Sequence, residues 1–226
     1  MVATPIGNLE DITLRALRVL KEVPLVAAED TRVTRTLLRK YDIQTPLASF
    51  HEFTSPTRRG RLIERLQDGD VAMVTDAGTP VVSDPGYPLI RDALSAGHLV
   101  VPVPGASSVM AALMVAGLPA HMFCFAGFLP KTSGARRKFF ARYAESDATL
   151  IVFESPYRLL ASLTDLVATL GPDRPIAVGR ELTKRFEEVF RGTAAAALAH
   201  FTEQSPRGEF TLLIGAPGAP VPGASV

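Results

Sequence analysis

The chain has 226 residues and a formal net charge of +1, with 47% hydrophobic and 21% charged residues. That length accommodates one large domain or two small ones with sizeable cores, and the composition excludes a disordered chain. A near-neutral balance excludes a global basic field, so any polyanion site must come from local clustering.

The N-terminus carries no basic leader and no secretory apolar stretch. One cysteine, Cys124 in an apolar run, excludes an internal disulfide and fits a reducing cytoplasm. It reads as a small buried hydrophobe. His51, His98, His121 and His200 are scattered without ligand spacing, so no metal is expected.

Apolar runs alternate with amphipathic ones, the signature of an α/β chain. In chain order, "VPLVAAED" (23–30) reads as a strand and "TRVTRTLLRKY" (31–41) as a helix with Val33, Leu37 and Leu38 on one side. "TRRGRLIERLQDG" (57–69) is a helix stopped by Gly69. "VAMVT" (71–75) is a strand, and "YPLIRDALSAG" (87–97) is a helix ended by Gly97. "LVVPVPG" (99–105) is expected as a strand and "SSVMAALMVAG" (107–117) as a helix. Ala93 to Pro130 contains no charged residue, but its prolines and glycines leave no helix near the roughly 20 residues of a membrane span. "GLP" (117–119) marks the expected domain boundary.

In the second half "MFCFAGF" (122–128) is a strand, "GARRKFFARYAES" (134–146) a helix, "ATLIVFES" (148–155) a strand, and "PYRLLASLTDLVATLG" (156–171) a helix with Pro156 near its start. "PIAVGREL" (175–182) and "FEEVFRG" (186–192) are strands, "TAAAALAHFTEQ" (193–204) is a helix, and "GEFTLLIGA" (208–216) closes the sheet. Residues 216–226, rich in Pro, Gly and Ala, are expected to be a disordered tail. The domains predicted are 1–117 and 118–215.

Ligands of open α/β sheets sit beyond the carboxyl ends of strands. Six such exits here combine Gly, Pro, Ser and acids: "VATPIGN" (2–8), "AAEDTR" (27–32), "TDAGTP" (75–80), "VPGASS" (103–108), "FESPYR" (153–158) and "GRELTKRFEE" (179–188). Each alone reads as a turn or cap; their recurrence points to a ligand cradle. No G-x-G and no G-K-[ST] occurs, which argues against a nucleotide held by its pyrophosphate. The backbone of "DAGTP" with its carboxylate neighbours suits a ligand with hydroxyls, a purine edge and a positive centre, as in S-adenosylmethionine.

"VATPIGNLEDIT", "AEDTR", "VTDAGTPVVSDPG", "VPVPGASS", "ESPYRL", "GRELTKRFEE" and "GEFTLLI" together resemble the bacterial 16S ribosomal RNA (cytidine-2′-O)-methyltransferases of the tetrapyrrole-methylase superfamily. The likeness runs from residue 2 to about 215. It implies two α/β domains of the tetrapyrrole-methylase type, S-adenosylmethionine in the interdomain cleft, a homodimer, and the small ribosomal subunit or its 16S rRNA as partner. Carried over by position, it implies cofactor contacts at Pro5, Ala77, Gly78, Thr79, Val82, Ser107, Ser108, Glu154 and Phe210. The acceptor side would draw on Glu29, Asp30, Arg32, His51, Arg180, Glu181, Lys184 and Glu187. The chain departs from the pattern in a short first strand, in "FHEFTSP" after His51-Glu52, at Tyr157 where His is usual, and in a Pro/Gly tail instead of a helical extension.

Methyl transfer from a sulfonium to a ribose hydroxyl is an in-line displacement in which the cofactor is already activated and the protein aligns. Glu29, Asp30 or Glu187 could take the hydroxyl proton, and Lys184 could stabilise the alkoxide. Phosphates require local positive charge, offered by Arg32 with its helix, by Arg58, Arg59 and Arg61, and by Lys131, Arg136, Arg137 and Lys138. The competing readings are a tetrapyrrole C-methyltransferase and a non-catalytic module that binds S-adenosylmethionine or RNA.

Overall fold

A computed structural model describes residues 1–223. The chain forms two compact units, Met1–Ser107 and Ser108–Val226.

The first unit is a parallel sheet covered on both faces. Its elements are α1 (Leu14–Glu22), β1 (Leu25–Ala28), α2 (Thr31–Lys40), β2 (Leu47–Ser49), α3 (Pro56–Glu64), β3 (Val71–Val74) and α4 (Tyr87–Ser95). The strand order is β2-β1-β3, all parallel. Side chains alternate along the strands: Val26, Ala28, Ala72 and Val74 enter one core with Leu20 and Leu38. Ala27 and Met73 enter the opposite one with Phe50, Leu62 and Leu89. Thr13, Asp30 and Ser55 cap α1, α2 and α3 through their side-chain oxygens. Helix α1 was not among the predicted elements. Its apolar stripe was legible: Ala16 and Leu20 are buried on it and Leu17 and Val19 pack against the same core, opposite Arg15, Arg18, Lys21 and Glu22.

Residues 99–105 are not the expected strand. Val103 makes a single parallel bridge to Val2, and Pro102 and Pro104 on either side have no N–H to offer a strand on the opposite edge. The N-terminus fills the place instead: Val2 N donates to the Met73 carbonyl (2.9 Å) and Ala3 N to that of Val103 (3.1 Å).

The second unit contains α5 (Ser108–Val115), β4 (Phe123–Phe128), α6 (Ser133–Ala141), β5 (Thr149–Glu154), α7 (Leu159–Leu170), β6 (Pro175–Arg180), β7 (Glu188–Thr193), α8 (Ala194–Gln204) and β8 (Phe210–Ile214). Its strand order is β4-β5-β8-β6-β7. Strand β8 therefore lies in the middle, antiparallel to both neighbours, rather than at an edge of the sheet. Its five residues are all buried, as a strand covered on both faces demands. Helix α7 starts at Leu159, since Pro156 sits in the turn before it. Helix α5 packs against β8 and belongs to this unit; the predicted boundary, Gly117, lies just beyond it. Of the predicted tail, Pro222 is buried and lies close to Gly117, while residues 224–226 fall outside the described residues. Among the described residues no helix is long and apolar enough to cross a membrane.

Candidate functional site

In the first unit three segments converge where the parallel strands end. The exit of β3 is pinned to the N-terminal loop: Thr4 N and Gly78 N each donate to the other residue's carbonyl (2.9 and 3.0 Å). The Thr4 hydroxyl donates to the Thr75 carbonyl and the Thr79 hydroxyl to that of Ala106, both at 3.1 Å. Gly78 has φ +76°, and a Cβ there would meet Ile6 at 3.1 Å, so the turn requires glycine. Asp76 and Ala77 stand exposed at its crest. Pro5 is buried beneath it, Val82 is exposed, and Ser107 and Ser108 are half-buried.

The backbone beyond this turn is strained. Val81 and Ser83 have φ +77° and +63°, a conformation a β-branched residue rarely adopts and one that costs of order 1–3 kcal/mol at each position. Gly86 holds the loop, since a Cβ there would meet Val81 and Met73 within 2.9 Å.

The carboxylates after β1 interlock with this exit. Asp30 N donates to Asp76 Oδ1 (2.9 Å) and Asp76 N to Glu29 Oε2 (3.3 Å). Neighbouring acids here have opposite tendencies. Burial pushes the Glu29 carboxyl up, aided by the charges of Asp76, Asp30 and Glu52 and opposed by the Asp76 amide. Hydrogen bonds from the Arg32 side chain and backbone hold Asp30 down to about 2, and the Arg32–Asp30 ion pair closes at 2.6 Å. Glu29 also lines a cavity of about 530 Å³ with Phe50, His51, Glu52, Arg59, Asp84 and Tyr87.

In the second unit the loop from β6 to β7 forms its own ionic cluster. The Lys184 ammonium contacts Glu181 (3.0 Å) and Glu209 (2.8 Å). Burial alone would favour the free amine, but those two carboxylates outweigh it and raise the lysine pKa. Arg180 pairs with Glu188 (3.2 Å), and Glu187 accepts from Thr183 N (2.6 Å). Glu154 is 2% exposed; it accepts from Ser155 N (2.7 Å) and the Ser162 hydroxyl (2.6 Å) and pairs with Arg158 (2.6 Å). Phe210 is likewise 2% exposed, in the core.

The basic segment after β4 divides. Arg136 is 4% exposed. It donates to Asp165 Oδ2 (2.9 Å) and to the carbonyls of Pro130 (3.3 Å) and Lys131 (2.9 Å). Its helical phase points it inward, beside Phe139 and Phe140, while Lys131, Arg137 and Lys138 stay exposed. Arg137 also contacts Asp165 (2.8 Å). Among the described residues no cluster of three His, Cys, Asp or Glu could hold a metal ion.

Sequence reasoning named Glu29 and His51 as neighbours of one site but passed over Glu52, Arg59, Asp84 and Tyr87 as cavity residues. The acid-and-glycine punctuation of "SDPG" was a signal for the last two; Arg59 carried none beyond its charge.

Residues 1–198 match the family of Tetrapyrrole (Corrin/Porphyrin) Methylases. The chain is 47% identical over 215 residues to the ribosomal RNA small subunit methyltransferase I of Halalkalibacterium halodurans, covering 95% of this chain and 74% of that protein. With the protein of the same name from Thermotoga maritima the identity is 45%, over 95% of this chain and 96% of the relative. Among solved structures, a uroporphyrin-III C-methyl transferase from Thermus thermophilus complexed with S-adenyl homocysteine superposes with a TM-score of 0.64 at 22% identity, covering 94% of each chain. That likeness concerns the fold.

Proposed function

This chain belongs to the tetrapyrrole (corrin/porphyrin) methylase family, and on that premise we propose that it transfers a methyl group from S-adenosylmethionine to small-subunit ribosomal RNA. The observation that carries this is the 47% identity, over 95% of the chain, to a protein named for that activity, against 22% for a porphyrinoid methylase of the same fold. The first unit's cavity supports the same choice. Its wall bears Glu29, Glu52 and Asp84, which would repel a macrocycle decorated with carboxylates.

The turn at Gly78 fits the cofactor. Ala77 offers only a methyl group, and both Asp76 and Ala77 are exposed at the crest, so a flat ligand can approach the backbone there. We assign the holding of the cofactor to Pro5, Ala77, Gly78, Thr79, Val82, Ser107 and Ser108. Glu154 and Phe210 present almost no exposed side chain and serve by supporting the second unit's strand ends. S-adenosylmethionine, when bound, supplies a methyl group on an already positive sulfur.

The acceptor is a cytidine 2′-hydroxyl in this reading, and Glu29 takes its proton. Among the three candidate bases, Glu29 is the one that borders the cavity and whose carboxyl is raised by burial. Asp30, held near 2, is a weak base, Glu187 is turned to the Thr183 amide in the second unit's loop, and Lys184, kept an ammonium by Glu181 and Glu209, suits the stabilisation of an alkoxide. Arg32, Lys131, Arg137 and Lys138 contact RNA phosphates. The protein works as a homodimer in the cytoplasm, where its ribosomal substrate is. Incubation with methyl-labelled cofactor and unmodified 30S particles tests the reading: label should enter 16S rRNA at one cytidine, whose 3′ linkage then resists alkali. Label in a porphyrinoid, or none in RNA, would overturn it.

A further inference from the structure

The cavity of the first unit carries an assignment that rests on the ribosomal RNA reading. Its volume, about 530 Å³, suits one nucleoside. The lining comes from three segments far apart in sequence: Glu29 after β1, residues 50–54 after β2, and residues 83–88 ahead of α4. Its charges describe the ligand. Carboxylates from Glu29, Glu52 and Asp84 are on the wall, while the cation there, Arg59, is engaged by Asp92 (2.7 Å) and by the Thr54 carbonyl (3.0 Å). A phosphate is therefore disfavoured, and a neutral group that donates hydrogen bonds is favoured. Aromatic surface is present as well: Tyr87 is 65% exposed and Phe50, 1% exposed, backs the lining.

We propose that this cavity receives the flipped-out base of the target nucleotide, an aminopyrimidine, with its face on Tyr87 and its exocyclic amine donating to Glu52. Enzymes that do chemistry on a base extrude it into such a pocket; here the reacting hydroxyl is on the sugar of the same nucleotide, and unstacked RNA bases lie on aromatic rings. Cytosine presents an amine donor where uracil presents an acceptor, so a carboxylate at that point selects cytosine. Glu29 borders the same cavity, which puts base recognition and proton acceptance from the attached ribose in one place. Glu52 is exposed, and the backbone beside it is anchored where His51 N donates to the Thr54 hydroxyl (2.8 Å).

The test compares 30S particles carrying cytidine or uridine at the position the protein methylates. The unaltered protein should prefer cytidine in kcat/KM. Glu52→Gln should cut that preference by about five- to 150-fold, the worth of one good base contact, with cofactor affinity by calorimetry unchanged. Tyr87→Ala should raise KM for the particle with kcat nearly kept, and Tyr87→Phe should restore it. An unchanged preference in Glu52→Gln, or equal losses in Tyr87→Phe and Tyr87→Ala, would overturn the assignment. A second arm needs no methyl transfer: free cytidine, titrated against the labelled protein, should shift the NMR signals of His51 and Tyr87, and uridine should not. Absence of both shifts overturns the pocket alone; shifts without methylation of 30S particles overturn the ribosomal RNA reading alone.

Discussion

Glu29 and Asp30 are adjacent acids whose surroundings drive their proton affinities apart, and each direction has a measurable consequence. The Glu29 carboxyl is raised by burial and by neighbouring negative charge, so the folded state disfavours its ionised form. That penalty is absent below the ordinary value of 4.5 and grows as pH rises through the higher folded value. Glu29→Gln should therefore raise Tm at pH 7 to 8, with the gain vanishing below about pH 4.5, while kcat falls about 10²- to 10⁴-fold. Asp30 behaves oppositely. Its contribution is full above the ordinary 3.8 and lost as pH falls through about 2, so Asp30→Asn should lower Tm at pH 7 and match the parent at still lower pH. Arg136 and Arg137 differ by a single position yet not in kind. The Arg136–Asp165 pair is 5% and 4% exposed, whereas the Arg137 side chain is 55% exposed. Arg136→Ala leaves a buried carboxylate short of a partner and should cost about 3–5 kcal/mol; Arg137→Ala should cost less than about 1 kcal/mol. Thermal denaturation of the two variants side by side checks this.

At the scale of elements, the turn after β3 joins fold and ligand. Because Gly78 has φ +76° and faces Ile6, any side chain there strains the backbone, and a fall in cofactor affinity would be mixed with a fall in stability. Ala77 separates the two, being exposed one residue earlier. Ala77→Leu should abolish S-adenosylmethionine binding in calorimetry while the melting curve of the unliganded protein stays put; retained affinity would remove the turn from the site. The start of α6 makes the parallel case for RNA. With Arg136 turned into the core, Lys131, Arg137 and Lys138 are the cations left at the surface; Arg137 is held by Asp165, and the other two are lysines. Replacing both with Ala should flatten the log–log salt dependence of 30S binding by about one to two units, at about 0.7–0.9 per lost phosphate contact, with cofactor affinity unaltered.

For the whole molecule, α5 bears on self-association. Its sequence SVMAALMV is apolar on every side, and Met110 and Met114 are 49% and 80% exposed. A helix without a polar face is ordinarily covered, and a second copy of the chain is the natural cover under two-fold symmetry. Light scattering at micromolar concentration should give the dimer mass, and Met114→Asp should give the monomer.

The sequence by itself determined the alternation of elements, the glycines that its turns need, the absence of nucleotide-phosphate motifs and, through linked motifs along nearly the whole chain, the family. These are local properties: a strand of buried apolar residues, a Gly at positive φ or a Pro without an N–H imposes its requirement within a few residues. Tertiary structure alone decided that "GEFTLLI" lies in the middle of its sheet, that 99–105 yields its place beside β3 to the N-terminus, and that Glu52, Asp84 and Tyr87 border one cavity with Glu29. It also decided that Arg136 is a buried strut although Arg137 beside it is not. Charge is legible in a sequence, but which face of a helix a charge occupies, and which distant carboxylate meets it, depends on packing between segments that the chain brings together only on folding.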